Sequence, residues 1–303
     1  MRSPEEARRA EGSDPPRASK STLLPGTLVI VATPIGNLGD MTRRAVDSLT
    51  DAAVIACEDT RVTAKLLAAY GIRTPMLAYH EHNAARVRPL LIERLKLGQI
   101  VALVSDAGTP LISDPGYKLV EAAITEDIPV TAAPGASALL TALVLSGLPS
   151  DRFLFAGFLP PKSAARRMEI KALSAVQATL IFYEGPSRVA KLLGDLLAVL
   201  GPRPAAVARE LTKRFEEVRR GALDDLAAHY AAAPQPKGEI VILVGPPGAN
   251  VVEASESDID TALTAALARH SVREAAALVA AETGLPRRAV YARALKLRDT
   301  TDG

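Results

Sequence analysis

The chain has 303 residues, 48% of them hydrophobic, a formal net charge of +2 and one cysteine, Cys57. That length accommodates two compact domains and a small third one. A single cysteine excludes an intramolecular disulfide, no apolar run reaches the roughly 18 to 20 residues that span a bilayer, and so small a net charge does not by itself indicate nucleic acid.

Residues 1–24 mix both charges with Pro4, Pro15 and Pro16 and have almost no large apolar side chains, the composition of a disordered leader. They lack the apolar centre of a secretory signal, so a cytoplasmic protein is expected. Thr27–Thr33 reads as a continuous apolar strand ending in the loop Pro34-Ile-Gly-Asn-Leu-Gly-Asp40, with a helix over 43–49. Ala53–Cys57 is a second strand, which makes Cys57 a core thiol, and Glu58-Asp-Thr-Arg61 stands at its end. A helix over 62–69 follows, with Gly71 at its C′ position. A short strand, 76–79, precedes His80-Glu-His82, and Asn83 is placed to cap a helix that runs to about Leu97.

Val101-Ala-Leu-Val104 is a buried strand running into the polar loop Ser105-Asp-Ala-Gly-Thr-Pro110, with a second turn at Ser113-Asp-Pro-Gly116. Open α/β sheets bind ligands beyond the carboxyl ends of their strands. This loop is therefore the first candidate for a cofactor site. A helix over 117–125, a strand over 128–133, the turn Pro134-Gly-Ala-Ser137 and a helix to about Ser146 complete a first domain, 25–146, with a mostly parallel sheet.

A second alternating α/β unit, 147–246, has strands over 153–158, 179–183, 205–208 and 239–244 and helices over 163–175, 188–200 and 223–232. Loops at strand ends, including Glu184–Ser187 and Arg209–Lys213, are expected to converge, and two facing edges would form a cleft between the domains. Residues 247–257 read as a linker. The tail, 258–298, is helical in pattern, with Ser271 capping one helix, Gly284 closing it and Pro286 opening the last. This is a small all-helical domain resembling a helix-turn-helix.

Several chemistries are disfavoured. Neither G-x-G-x-x-G nor a P-loop is present. Ser105 has no G-x-S-x-G elbow. His80 and His82 have no further Cys or His nearby, so no metal site is expected. Basic residues cluster at Lys162, Arg166, Arg167 and Lys171, around Arg209–Arg220, and at Arg287, Arg288, Arg293, Lys296 and Arg298. Each cluster reads either as a solvated helix face or as a grip on RNA.

Thr33–Gly39, Glu58–Arg61, Leu103–Gly116, Gly147–Phe153, Gly157–Pro160, Leu180–Glu184 and Ala208–Lys213 together resemble the bacterial 16S ribosomal RNA cytidine 2′-O-methyltransferase I family, in the tetrapyrrole-methylase-like superfamily. The resemblance covers about Gly26–Val244, and the tail resembles that family's C-terminal helix-turn-helix. It implies a homodimer of two-domain α/β chains that binds S-adenosylmethionine between the domains and acts on 16S rRNA of the small ribosomal subunit, with no membrane association. The implied cofactor contacts are Pro34, Ser105, Asp106, Ala107, Gly108, Thr109, Ser113, Asp114, Pro134, Gly135, Ser137, Ala138, Phe182, Tyr183, Leu211, Gly238 and Glu239. Ala132–Ser137 departs from the family's bulkier Leu-Pro-Gly-Pro version of that loop, which alters packing more than chemistry.

Methyl transfer to a ribose hydroxyl needs alignment and a proton acceptor. Glu184, Asp106, Glu58 and Asp59 are candidate acceptors, and Arg61 and Lys213 are candidates to hold phosphate or stabilise an alkoxide. Glu184, Asp106 and Lys213 are the catalytic set. Asn37, Glu58, Asp59, Arg61, Arg287, Arg288 and Arg293 are assigned to RNA, although Glu58, Asp59 and Arg61 also fit a local ion pair and helix cap. Two other readings stay open: the same fold acting on a small tetrapyrrole-like or protein substrate, and a non-enzymatic DNA-binding regulator.

Overall fold

The computed structural model describes residues 23–248, 256–283 and 287–301. Most of the expected leader, most of the expected linker, and Gly284 and Pro286 with their expected helix-ending and helix-opening roles lie outside the described residues. The chain divides into two compact units. One holds residues up to Thr141 together with Leu211–Arg214, and the other holds Ala142–Glu210 and everything from Phe215 onward.

In the first unit, β1 (Leu28–Val31), β2 (Val54–Cys57), β3 (Met76–Ala78), β4 (Val101–Val104) and β5 (Val130–Ala133) form one sheet in the order β3-β2-β4-β1-β5. Every pairing is parallel. Alternate strand residues serve opposite faces. Leu28, Val54, Ala56, Val101 and Leu103 pack with Val87, Leu91 and Leu95 of α3 (Ala84–Lys96) and Leu119 and Ala123 of α4 (Tyr117–Thr125). Val29, Val31, Ile55, Cys57, Ala102 and Val104 pack with Ala45 and Leu49 of α1 (Arg43–Asp51) and Leu67 of α2 (Thr60–Ala69). Helices on both faces explain why these strands read as unbroken apolar runs. Cys57 is fully buried, and burial pushes its thiol pKa up.

The connections leaving the adjacent strands β1 and β4 go to opposite faces, to α1 and α4. That divergence is a topological switch point, where an open sheet leaves room for a ligand.

Gly71 takes φ +67 at the end of α2, as expected. Thr42, not singled out from sequence, caps α1 by accepting the Ala45 N–H at 3.2 Å. Asn83 stands at the N-cap of α3 but makes no cap bond there. Its side chain accepts the His80 N–H and donates to the Ala78 carbonyl, both at 2.9 Å. It therefore holds the turn after β3.

In the second unit, β6 (Phe153–Phe158), β7 (Thr179–Glu184), β8 (Pro204–Arg209), β9 (Glu217–Ala222) and β10 (Ile240–Val244) are ordered β6-β7-β10-β8-β9. Only β6·β7 is parallel; β10 runs antiparallel to both β7 and β8, and β9 antiparallel to β8. The plain alternating unit expected from sequence is thus a mixed sheet. The strand missing from that expectation is β9, Glu-Val-Arg-Arg-Gly-Ala, whose charges suit a sheet edge and mask its strand character. β6, β7 and β8 still point the same way, so the loops after them share one edge. α6 (Ser163–Leu173), α7 (Val189–Leu200) and α8 (Leu223–Ala232) cover one face through Ile170, Leu192, Leu196 and Leu226. α5 (Ala138–Ser146) straddles the division between the units.

α9 (Glu256–Leu267), α10 (Val272–Thr283) and α11 (Arg287–Thr301) have their own core of Ile259, Leu263, Ala276, Val279, Val290 and Ala294. Ser271 and Glu274 form a capping box: the Glu274 N–H donates to Ser271 Oγ at 3.4 Å, and the Ser271 N–H to Glu274 Oε2 at 3.1 Å. No helix of the described residues is long and apolar enough to cross a membrane.

Candidate active site

At the switch point, the loops after β1 and β4 are stitched together. The Thr33 N–H donates to the Gly108 carbonyl at 2.8 Å, and the Gly108 N–H to the Thr33 carbonyl at 3.0 Å. Thr33 Oγ1 reaches the Ser105 carbonyl at 3.3 Å. Thr109 Oγ1 donates to the Ala136 carbonyl at 3.1 Å, which ties in the loop after β5. Ser105, Asp106, Ala107, Gly108, Thr109, Pro34, Pro134, Gly135, Ser137 and Ala138 therefore share one edge. Ser105 and Gly108 are buried, whereas Asp106, Ala107, Pro134 and Gly135 are exposed.

Small residues are required here. Gly108 has φ +80, and a Cβ on it would lie 3.2 Å from Ile35 Cγ2; on Gly135 it would lie 3.1 Å from Ala32 Cβ. The Lys213 side chain crosses Gly36, where a Cβ would fall 2.4 Å from Lys213 Cγ. Leu211, beside it in sequence, is buried. Strain is concentrated in the same loops: Leu111 and Ser113 have φ +73 and +65, and Glu210 and Thr212 have φ +51 and +65. Such conformations cost roughly 1 to 3 kcal/mol each and cluster at functional sites.

Asp106 Oδ1 accepts the Asp59 N–H at 3.1 Å, linking the ends of β4 and β2. Glu58 is raised above the usual carboxylate range by burial, with Asp106 and Asp114 adding repulsion and His80 opposing it. Burial raises Asp114 too, against a hydrogen bond from Ser105. Asp59 behaves differently. It caps α2 through the Arg61 N–H at 2.8 Å and pairs with the Arg61 guanidinium at 2.6 Å, which brings its pKa down to about 2. Arg61 remains 87% exposed along its side chain. Asn37 accepts the Gly39 N–H at 3.0 Å and caps the short helical turn Leu38–Asp40.

In the second unit, Glu184 is 2% exposed, accepts the Gly185 N–H at 2.8 Å and pairs with Arg188 at 2.9 Å. Its oxygens are engaged structurally. Arg188, absent from the sequence expectation, also donates to the Leu159 carbonyl at 2.6 Å and so fastens the loop after β6. Phe182 is fully buried in the helix-covered core. Tyr183 lies on the other face against Phe155 and Phe158, ring centroids 4.7 and 5.6 Å away. Gly238 has φ +91, and a Cβ there would lie 2.1 Å from Glu210 Oε1; the neighbouring Glu239 N–H donates to that oxygen at 3.2 Å.

The basic clusters separate by role. Arg166 is 3% exposed and, with Arg167 and Ser163, converges on buried Asp195, Arg166 Nε standing 2.7 Å from Oδ2. Arg166 braces α6 against α7 from within the core, and Arg167 reaches the same carboxylate with its side chain 53% exposed. Arg293 likewise pairs with Asp260, Nη2 at 3.1 Å, joining α11 to α9. Arg287, Arg288, Lys296 and Arg298 are exposed on α11. Among the described residues no His, Cys, Asp and Glu group is arranged to hold a metal.

Comparison with known proteins agrees with this fold. The family model for tetrapyrrole (corrin/porphyrin) methylases matches residues 27–227, and that for the RsmI C-terminal HTH domain matches 253–298. The chain is 55% identical to a ribosomal RNA small subunit methyltransferase I of Mesorhizobium japonicum, over 90% of this chain and 93% of that one. It is 51% identical to a protein of the same name from Xylella fastidiosa, over 88% and 98%. Among solved structures, the cobalt precorrin-4 methyltransferase CbiF superposes with TM-score 0.55 at 17% identity, covering 73% of this chain and 95% of that one. A uroporphyrin-III C-methyltransferase from Thermus thermophilus, complexed with S-adenyl homocysteine, superposes with TM-score 0.50 at 20% identity, over 72% and 96%.

Proposed function

The chain belongs to the tetrapyrrole (corrin/porphyrin) methylase family, and from that premise we propose that it transfers a methyl group from S-adenosylmethionine to the 2′-hydroxyl of a cytidine ribose in 16S rRNA of the small ribosomal subunit. The observation carrying this reading is the joint presence of the methylase and C-terminal HTH matches, with 55% identity to a small subunit rRNA methyltransferase along 90% of the chain. The reading includes a homodimer working in the cytoplasm.

The carboxyl edge of the first unit fits S-adenosylmethionine. At Gly108 and Gly135 bare backbone stands where a Cβ would crowd Ile35 and Ala32, and Ala107 adds no bulk. Bound there, S-adenosylmethionine supplies an electrophilic methyl on a sulfonium. Asp106, Ala107, Gly108 and Thr109 would hold it, with Pro34, Pro134, Gly135 and Ser137 beside them on the same edge. Ser105 and Asp114 fix the loop from behind.

Alignment supplies most of the acceleration, since well-oriented partners gain roughly 7 to 11 kcal/mol. Asp106 is exposed, uses Oδ1 on the Asp59 N–H, and takes the hydroxyl proton. Lys213, lying across Gly36, stabilises the developing alkoxide. Glu184 acts as a positioning residue through Arg188. Arg61 and the α11 residues Arg287 and Arg288 meet RNA phosphates, and Arg293 braces α11 from Asp260.

The test is methyl transfer from labelled S-adenosylmethionine to 30S subunits lacking the modification, followed by nucleoside mass spectrometry. Ribose-methylated cytidine is expected, and its absence overturns the reading.

A further inference from the structure

A concavity lies within the second unit. It has a volume of about 460 Å³, inside the roughly 300 to 1,000 Å³ range of small-ligand sites. Its floor comes from the ends of β8 and β9, and its wall from the end of α8 and the Ala233–Lys237 loop. Arg209 and Arg219 share the Glu217 carboxylate, Arg209 Nη2 at 2.8 Å and Arg219 Nη2 at 3.0 Å, so two guanidiniums stand over one negative charge. Lys237 adds a cation at the rim, and Glu210, also at the rim, accepts the Glu239 N–H. Tyr230 is buried, with its hydroxyl hydrogen-bonded to Arg219. Phe215 is 66% exposed at the mouth.

An exposed phenyl face, planar guanidiniums and carboxylate acceptors beside excess positive charge are the parts that recognise an unstacked nucleotide. The base stacks on the aromatic ring or a guanidinium plane, its edge meets donors and acceptors, and its phosphate meets the cations. Resting on the rRNA reading above, we infer that this pocket holds one unpaired nucleotide of the substrate RNA, with Phe215 as stacking platform and Lys237 as phosphate contact. It is a substrate-positioning site.

The test uses the full chain with Phe215→Leu, Phe215→Tyr and Lys237→Gln, each verified by far-ultraviolet circular dichroism and by unchanged S-adenosylmethionine affinity. Binding to a fluorescent single-stranded RNA of about ten nucleotides is followed by anisotropy across a salt series. Phe215→Leu should weaken binding about tenfold, the scale of one lost base stack, and Phe215→Tyr should restore it. Lys237→Gln should lower the slope of log affinity against log salt by about 0.7, one phosphate contact on a single strand. Unchanged binding in both Phe215→Leu and Lys237→Gln overturns the proposal. So does Phe215-dependent binding of free AMP or CMP as tight as that of RNA, which would assign the pocket to a mononucleotide. Parallel turnover on 30S subunits separates the two readings. A wild-type enzyme that methylates subunits, with Phe215→Leu equal to it in KM and affinity, overturns the pocket and keeps the activity. A wild-type chain without methyl transfer, yet with Phe215-dependent RNA binding, supports the pocket and overturns the activity.

Discussion

Gly108 shows how much one position carries. Its φ of +80 and the approach of Ile35 leave no comfortable place for a side chain. Gly108→Val should reduce S-adenosylmethionine affinity more than tenfold by calorimetry, at a stability cost of about 1 to 3 kcal/mol from the backbone strain. Normal affinity would remove this loop from the site. Glu58 yields a pH prediction. Burial raises its folded pKa above the unfolded value, so the fold binds this proton more tightly than the unfolded chain does. The stability penalty of ionisation is absent below the unfolded pKa of about 4.3 and grows as pH rises toward the folded value. Glu58→Gln should therefore raise Tm at neutral pH and leave it nearly unchanged near pH 3.5. Sequence placed Glu58, Asp106 and Asp114 at strand ends. It held no sign that they repel one another or that Arg188 occupies Glu184, because those relations join separate elements.

Among elements, the α6–α7 brace is the sharpest case. Asp195 lies in an apolar stretch of α7 and is 4% exposed, with Arg166, Arg167 and Ser163 directed onto it. The arginines hold its carboxyl below the usual range despite burial. Asp195→Ala strands the Arg166 charge in the core, and breaking such a buried pair costs about 3 to 5 kcal/mol. Urea unfolding checks this, with a lower midpoint and an unchanged m-value expected. The apolar strands of both sheets were legible from composition because helices cover them. β9 was not, because an edge strand carries charge that reads like a helix surface or a loop.

For the whole molecule, α9–α11 pack around a hydrophobic cluster of their own that includes none of the cofactor-loop residues. Deleting residues 255–303 should abolish methylation of 30S subunits while cofactor affinity stays within about twofold, roughly 0.4 kcal/mol. Equal activity would favour a small substrate instead. Light scattering on the purified chain should give twice the 31.9 kDa monomer mass if the homodimer is the working form.

Sequence alone determined the α/β class, the helical tail, the resemblance to methylases and the polar strand-end loops. Each is written in local periodicity, in turn residues or in contiguous motifs. Tertiary structure decided the β3-β2-β4-β1-β5 order, the Thr33–Gly108 stitch at its switch point, the mixed second sheet, and which arginines brace and which face solvent. Those depend on which distant segments meet, and hydrogen-bond pairing and charge burial are settled only when they do.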